Sequence, residues 1–530
     1  MIKKSVSVIL IITLILAVMT ACSEKDKTGK VISVPVTYMP KTFDPQIAST
    51  VSEKEIAVNC FDMLFKLDED GQVQKNTCED YTVSDDGLTY TFKIKKGLKY
   101  YVSGKASAFL EDDEEKSEFV CDAYDYAFGI TRAILPETEA EDFNLLSSIK
   151  NAQAIHDGEM DKSKLGIKVV DANTLKIVLE KKDNDFIYAL TQAVSAPCDQ
   201  DFFEATSGRY GLDIKYIISN GMFYLSYIAD DSYAKISKNE EYSSADPAIP
   251  SAVVFYLNSD SKTIASKLKK GDYDVAFLSK ALAEETGPDT NKLYFENITY
   301  AMVFNMSKET LQNEKLRKGL FGCINKSDLA GETANSLIAP FYLVNGKAYD
   351  SSSAKGVNYD IKAARANMVA AYEELEINAM SIDILCTDQT QNIAKSIVSN
   401  WQKNIGVELN GTVKVSEDFD KDISEGNYDI VIYPLSKDTN KASEFLAVFR
   451  SESEDNIFGL ESEDYDKLYD KMSESVNNKK VTTAENYLTQ NAIVLPLYYE
   501  STCFASAESV EGIYFVGNMS NVYFGKGMKE

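Results

Sequence analysis

Apolar and polar positions in the second half of the chain change period in a regular order. Val253 to Leu257 is an apolar run of strand length, Lys262 to Lys270 reads as a helix, Gly271 is placed to cap it, and Tyr273 to Leu278 returns to strand character. The order recurs further on. Ile382 and Ile384 alternate with polar residues, then Ile393, Ile397 and Trp401 recur at four-residue spacing as one helix face requires, Gly406 ends the helix and Val407 opens a strand. Both segments are β-α-β units, which places the chain in the α/β class. They share an echo: Gly271-Asp272-Tyr273-Asp274-Val275-Ala276 against Gly426-Asn427-Tyr428-Asp429-Ile430-Val431. Such a repeat predicts either two lobes built alike or two halves of one sheet. The first half has another texture. Tyr81 to Ile94 predicts two short strands around an Asp85-Asp86-Gly87 turn, with Leu88, Tyr90, Phe92 and Ile94 on one face, and Leu175 to Leu179 adds a further strand.

The N-terminus carries a separate signal. Lys3 and Lys4 precede an apolar run from Val6 to Val18, which is shorter than the roughly 20 residues of a permanent membrane helix and fits a secretory leader. Met19, Thr20, Ala21 and Cys22 follow, and small residues before such a Cys resemble a bacterial lipobox. The expectation is a leader over 1–21, diacylation of Cys22 and a polar tether over 22–30. Two acyl chains, at about 0.8 kcal/mol per buried CH₂, anchor a soluble domain on the extracytoplasmic face of the cell membrane.

Composition narrows the function classes. With 44% hydrophobic and 11% aromatic residues the chain has material for packed cores, and 530 residues predict two or three domains. Against 82 acidic residues stand 55 Lys and Arg, a formal charge of -27, which repels phosphate backbones and speaks against nucleic-acid binding. A single histidine, His156 in a polar turn, cannot build a multi-His metal site, and no metal or cofactor is expected. After Cys22 the cysteines Cys60, Cys78, Cys121, Cys198, Cys323, Cys386 and Cys503 fit no zinc or disulfide spacing and read as buried thiols. The acidic stretch from Ala108 to Glu118 lacks the spacing of a calcium loop and reads as a solvated loop. Neither GxxxxGK[ST] nor HExxH occurs, and no carboxylate pair stands out, so an enzyme is not expected.

An ordered series of short motifs resembles the oligopeptide/dipeptide-binding family, the extracellular solute-binding proteins of peptide ABC transporters. It includes Phe43-Asp44-Pro45, Asn59 to Leu64, Ser84 to Phe92, Ala123 to Phe128 with Arg132, Val170 to Leu175, Ser219-Asn220-Gly221, Lys238 to Tyr242, Leu316 to Leu320 and Leu495-Pro496-Leu497. Departures occur as well, such as Gly221-Met222-Phe223 in place of Gly-Pro-Phe, and Leu435 where oligopeptide binders carry a cleft Trp.

The resemblance implies a two-lobed Venus flytrap fold of the periplasmic-binding-protein type with an inserted domain. Domain I would combine 31–60, 188–260 and 487–530; domain II, strand-rich, 61–187; domain III, the second α/β lobe, 261–486. It implies a monomer that captures a short peptide between the lobes and hands it to ABC transporter permease subunits. The alternatives are a surface receptor for a signalling peptide or for a solute such as an oligosaccharide. Family peptides bind as an added strand, so few side chains are specified, but a buried ammonium needs an anionic partner. By position Asp438 is that partner, Ser49, Thr50 and Val51 pair with ligand backbone, and Tyr433 and Leu435 flank the cleft. No Arg for a peptide carboxylate is assigned.

Overall fold

A computed structural model describes residues 29–110, 119–183, 186–229, 232–242, 246–329, 332–406, 408–437, 439–453, 455–516, 519 and 521–529. Cys22, Asp438 and most of the acidic stretch from Ala108 to Glu118 lie outside the described residues. Fourteen strands carry the architecture. In chain order they are β1 (Val31–Val36), β2 (Cys78–Val83), β3 (Thr89–Ile94), β4 (Ile167–Asp171), β5 (Thr174–Val178), β6 (Phe223–Ala229) and β7 (Tyr233–Lys238). The rest are β8 (Ala252–Leu257), β9 (Val275–Ser279), β10 (Thr290–Phe304), β11 (Met380–Cys386), β12 (Leu409–Val415), β13 (Ile430–Leu435) and β14 (Val494–Ala507).

They form three main sheets. The first has the order β1-β8-β7-β6, with β1 parallel to β8 from Val31 opposite Ala252 to Val36 opposite Leu257. The second, β2-β3-β5-β4, is antiparallel throughout. Its alternation is the one the sequence predicts: Tyr90, Phe92 and Ile94 are buried, and Gly87 turns the hairpin at φ 74°. The third has the order β9-β14-β10-β13-β11-β12, with the short strand Glu332–Thr333 added on β14. Its β11 and β12 run parallel, as a connection through the helix Gln391–Asn404 requires. Ile393, Ile397 and Trp401 of that helix are buried on one face. Gly271 and Gly426, the two glycines of the echo, both stand in the left-handed region at φ 75° and 67°. They open β9 and β13 of this same sheet, so the repeat marks two parts of one sheet.

The cores show how the chain is partitioned. One large core runs from Ile32 and Phe255 through Phe92, Tyr126 and Leu175, so the first two sheets share a single apolar interior. A second core holds Phe304, Trp401, Phe449 and Leu488, and a small third one packs Ile264 and Leu268 against Cys503 and Ala505. Two long strands join these bodies. β14 places Val494, Leu495 and Leu497 in the second core, then Phe504 and Ala507 in the first, while Tyr498 to Thr502 between them are half-buried. β10 runs beside it in the opposite direction, with register shifts at Glu296/Ile298 and Tyr300/Ala301 that bend the pair where it passes between the cores.

The second core therefore begins and ends within the crossing strands. Residues 261–289, placed by the sequence at the start of domain III, sit instead at the other end of the sheet. The reason is register: β9 pairs with Thr502 to Ser506, and its Val275 belongs to the core of Ile32. Likewise Leu488, Ile493 and Val494 belong to the second core.

All seven described cysteines are buried and unbridged. His156 is not a solvated turn residue. It stacks on Phe143, with ring centroids 3.7 Å apart and 6° between planes, and its Nδ1 lies 3.2 Å from the Ile134 carbonyl. Among the described residues no helix is long and apolar enough to cross a membrane.

Candidate functional site

Beside the crossing strands the two lobes are joined by a circuit of contacts that passes from one to the other and back. It starts on β10, where Phe295 meets Phe341 with centroids 5.1 Å apart. Phe341 leads through Tyr342 to Leu343, whose amide donates to the Asn440 carbonyl at 2.6 Å and which bridges Lys441. Lys441 belongs to the second lobe, yet its Nζ lies 4.6 Å over the ring of Tyr188 in the first. Tyr188 neighbours Tyr523, and Tyr523 stacks on Tyr514 at 5.3 Å. Phe515, next in the chain, closes the circuit on Phe295 at 4.9 Å and also packs on Phe277 and Phe504. Of the five phenylalanines only Phe504 is buried, at 8% exposure, so the wall is apolar and partly open. Away from the circuit, a surface cavity of about 450 Å³ lies within the first lobe, lined by Phe65, Val73, Gln74, Lys75, Tyr81 and Ile187.

The sequence-predicted site residues fare differently. The loop that carries Asp438 is held on both sides of it: the Lys437 amide donates to Tyr342 Oη at 2.7 Å, and Thr439 bonds Glu444. Lys437 itself is paired with Asp455. Leu435 does not line the crevice. It sits opposite Thr299 in the middle of the large sheet and is 4% exposed, a core position. Tyr433 is half-buried, stacked on Phe419 and edge-on to Phe458, and burial, then Asp420 and Asp455, raise its phenol pKa.

Ser49, Thr50 and Val51 form no free loop edge. Thr50 is the N-cap of the helix Val51–Cys60, in a capping box with Glu53. The amides of Ser49 and Thr50 both donate to Glu53 Oε2 at 3.0 Å, and the Thr50 carbonyl accepts from Lys54. Burial alone would raise the Glu53 carboxyl, but donors from Thr50, Ser49 and Lys41 outweigh it and hold the pKa below its ordinary value. These amides are spoken for and are not available to pair with a ligand strand. The signal was present in the sequence, since Thr50 to Glu53 has capping-box spacing. What sequence reasoning missed is the aromatic wall: Phe277, Phe295, Phe341, Phe504 and Phe515 are scattered over 239 positions, and only strand register gathers them.

Two cores joined by two crossing strands, with a partly open aromatic border between them, define a two-lobed binding protein. The sequence profile of the bacterial extracellular solute-binding proteins, family 5 (middle region), matches residues 72–456. The chain belongs to that family, which is one of binding proteins and not of catalysts. Among its relatives, the oligopeptide-binding protein OppA of Bacillus subtilis (strain 168) is 21% identical over 98% of this chain and 99% of its own. The structure of Listeria monocytogenes OppA bound to peptide superimposes with a TM-score of 0.72 at 21% identity, covering 94% of this chain and 99% of that one. The pheromone receptor PrgZ, solved for its mode of peptide binding, gives 0.71 at 21% identity over 95% and 100%.

Proposed function

We propose that the protein is a lipid-anchored extracytoplasmic receptor that captures short peptides between its lobes and delivers them to the permease of an ABC transporter. The observation that carries this reading is the aromatic border between the lobes, beside which β10 and β14 cross from one core to the other. A joint of two strands allows the lobes to open and close around a ligand, and a half-buried aromatic wall takes up apolar side chains without demanding one sequence. The peptide named with the Listeria relative and the peptide binding named for PrgZ support the ligand class. The anchor rests on Cys22 and the small residues before it. We place the lobe boundaries within β10 and β14, where the half-buried stretches lie.

Asp438 is the proposed partner of the peptide ammonium. Of its sequence neighbours, Lys437 donates to Tyr342 and Lys441 reaches over Tyr188 of the first lobe. A charge-assisted hydrogen bond in a water-poor site contributes about 1.5–3 kcal/mol, or roughly ten- to a hundred-fold in affinity. Titration calorimetry with paired free and N-acetylated peptides tests the role. Asp438→Asn is expected to lower the preference for the free amine by roughly that factor. An unchanged preference would remove Asp438 from the site.

A further inference from the structure

We propose that Glu500 is a specificity-determining residue that receives a cationic side chain, of the Lys or Arg type, from a peptide bound at the junction of the lobes. The inference rests on the peptide reading above and adds to it a preference for charge at one ligand position. Glu500 lies in the half-buried stretch of β14, directly after Tyr498 and Tyr499, which pack against the edge of the second core.

The strand register fixes its surroundings. Residues paired directly across an antiparallel ladder share a face, as do alternate residues along a strand. Tyr498 pairs with Tyr300, Glu500 with Ile298, Thr502 with Phe295 and Phe504 with Leu293. On its other edge β14 sets Phe504 opposite Phe277. One face thus presents, in order, the Tyr300/Tyr498 pair, Glu500, and the phenylalanine wall of the crevice. The opposite face is taken: Tyr499 exchanges hydrogen bonds with the Ser336 backbone at 3.1 and 2.9 Å, and Cys503 is packed in the small third core.

The chemistry at that point fits a cation. Tyr300 and Tyr498 are stacked with centroids 4.7 Å apart and 6° between planes. Glu500 lies close to the Tyr300 hydroxyl, and among the described residues no Lys or Arg forms an ion pair with it. Burial, followed by the nearby Glu500, raises the Tyr300 phenol, so both tyrosines stay neutral and their rings keep their electron-rich faces. A half-buried carboxylate that loses its remaining water when the lobes close needs a positive partner, and the ligand is the available source of one. The alkyl stem of a Lys or Arg would lie along the adjoining phenylalanines, as such stems do on apolar surface.

The test uses tetrapeptides of an Ala and Phe background in which one Lys is moved through positions two to four, each with a norleucine counterpart of equal length and no charge. Calorimetric affinities give a Lys-to-norleucine ratio at each position. For the wild type the ratio is expected to reach at least ten at one position, to fall to about one in Glu500→Gln, and to drop below one in Glu500→Lys, with circular dichroism confirming that both variants are folded. A wild-type ratio near one at every position, or a ratio that survives Glu500→Gln, overturns the proposal while leaving the peptide reading intact. Failure of every peptide to bind the wild type overturns the peptide reading, and this assignment with it.

Discussion

Asp44→Ala is expected to destabilise the first lobe by about 3–5 kcal/mol, the cost of leaving a buried charge without its partner. The Arg132 guanidinium donates to Asp44 Oδ2 at 2.5 Å through Nη2 and to Gln46 Oε1 at 2.8 Å through Nη1. It lies 4.0 Å from the centroid of the Phe203 ring and 5.3 Å from that of Tyr210. The two side chains are only 7% and 4% exposed, so water cannot take over either role. Burial by itself would lower the Arg132 pKa, but Asp44 more than restores it, and the guanidinium stays charged. Truncating Asp44 therefore strands a cation among aromatic rings and a buried thiol. Replacing Arg132 by Met in the same chain removes that cation, and the double variant should recover much of the loss, since a buried pair is often neutral against apolar residues of similar volume. Urea unfolding of the wild type, both single variants and the double variant closes the cycle. Additive losses would show that the pair does not act as a unit.

Trp401→Ala is expected to cost about 3–5 kcal/mol in the other lobe. Trp401 is fully buried, and its indole N–H donates to the Leu320 carbonyl at 2.9 Å, which ties the helix Gln391–Asn404 to the helix Glu314–Gly322. The space around it is already closed. A Cβ added at Gly411 on β12 would lie 3.1 Å from Trp401 Cε3 and 2.8 Å from Val398 Cγ2. With no slack, the surroundings relax only partly into the void, so the loss contains a cavity contribution beyond the lost burial. Circular dichroism in urea measures it. Trp401→Phe, which fills more of the volume but cannot donate to Leu320, should lose clearly less.

These two sites also mark what the sequence makes legible. Trp401 announces itself: four-residue spacing with Ile393 and Ile397 places it on the buried face, and helical geometry does the rest. Asp44 and Arg132 are both visible as motif members, but 88 positions separate them and no period links them. Only packing within a common core shows that each exists for the other. The crevice has the same character. Its strands were readable one by one, as were the caps at Gly271 and Gly426. Their order in the large sheet was not, and it is that order which moves Leu435 into the core and gathers five distant phenylalanines into a wall. At Ser49 and Thr50 the local pattern decides: the capping box that Thr50 forms with Glu53 is legible in the sequence and claims both amides.

The acidity of the chain agrees with the proposed preference for cationic side chains, because a net charge of -27 attracts cations over several ångströms and salt screens that attraction. Capture of a peptide between the lobes is tested by native mass spectrometry of the full-length protein purified from its own cells. Protein ions are expected to carry added mass that is released on activation and sequenced as short peptides. A co-purifying sugar or metal ion in place of any peptide would contradict it.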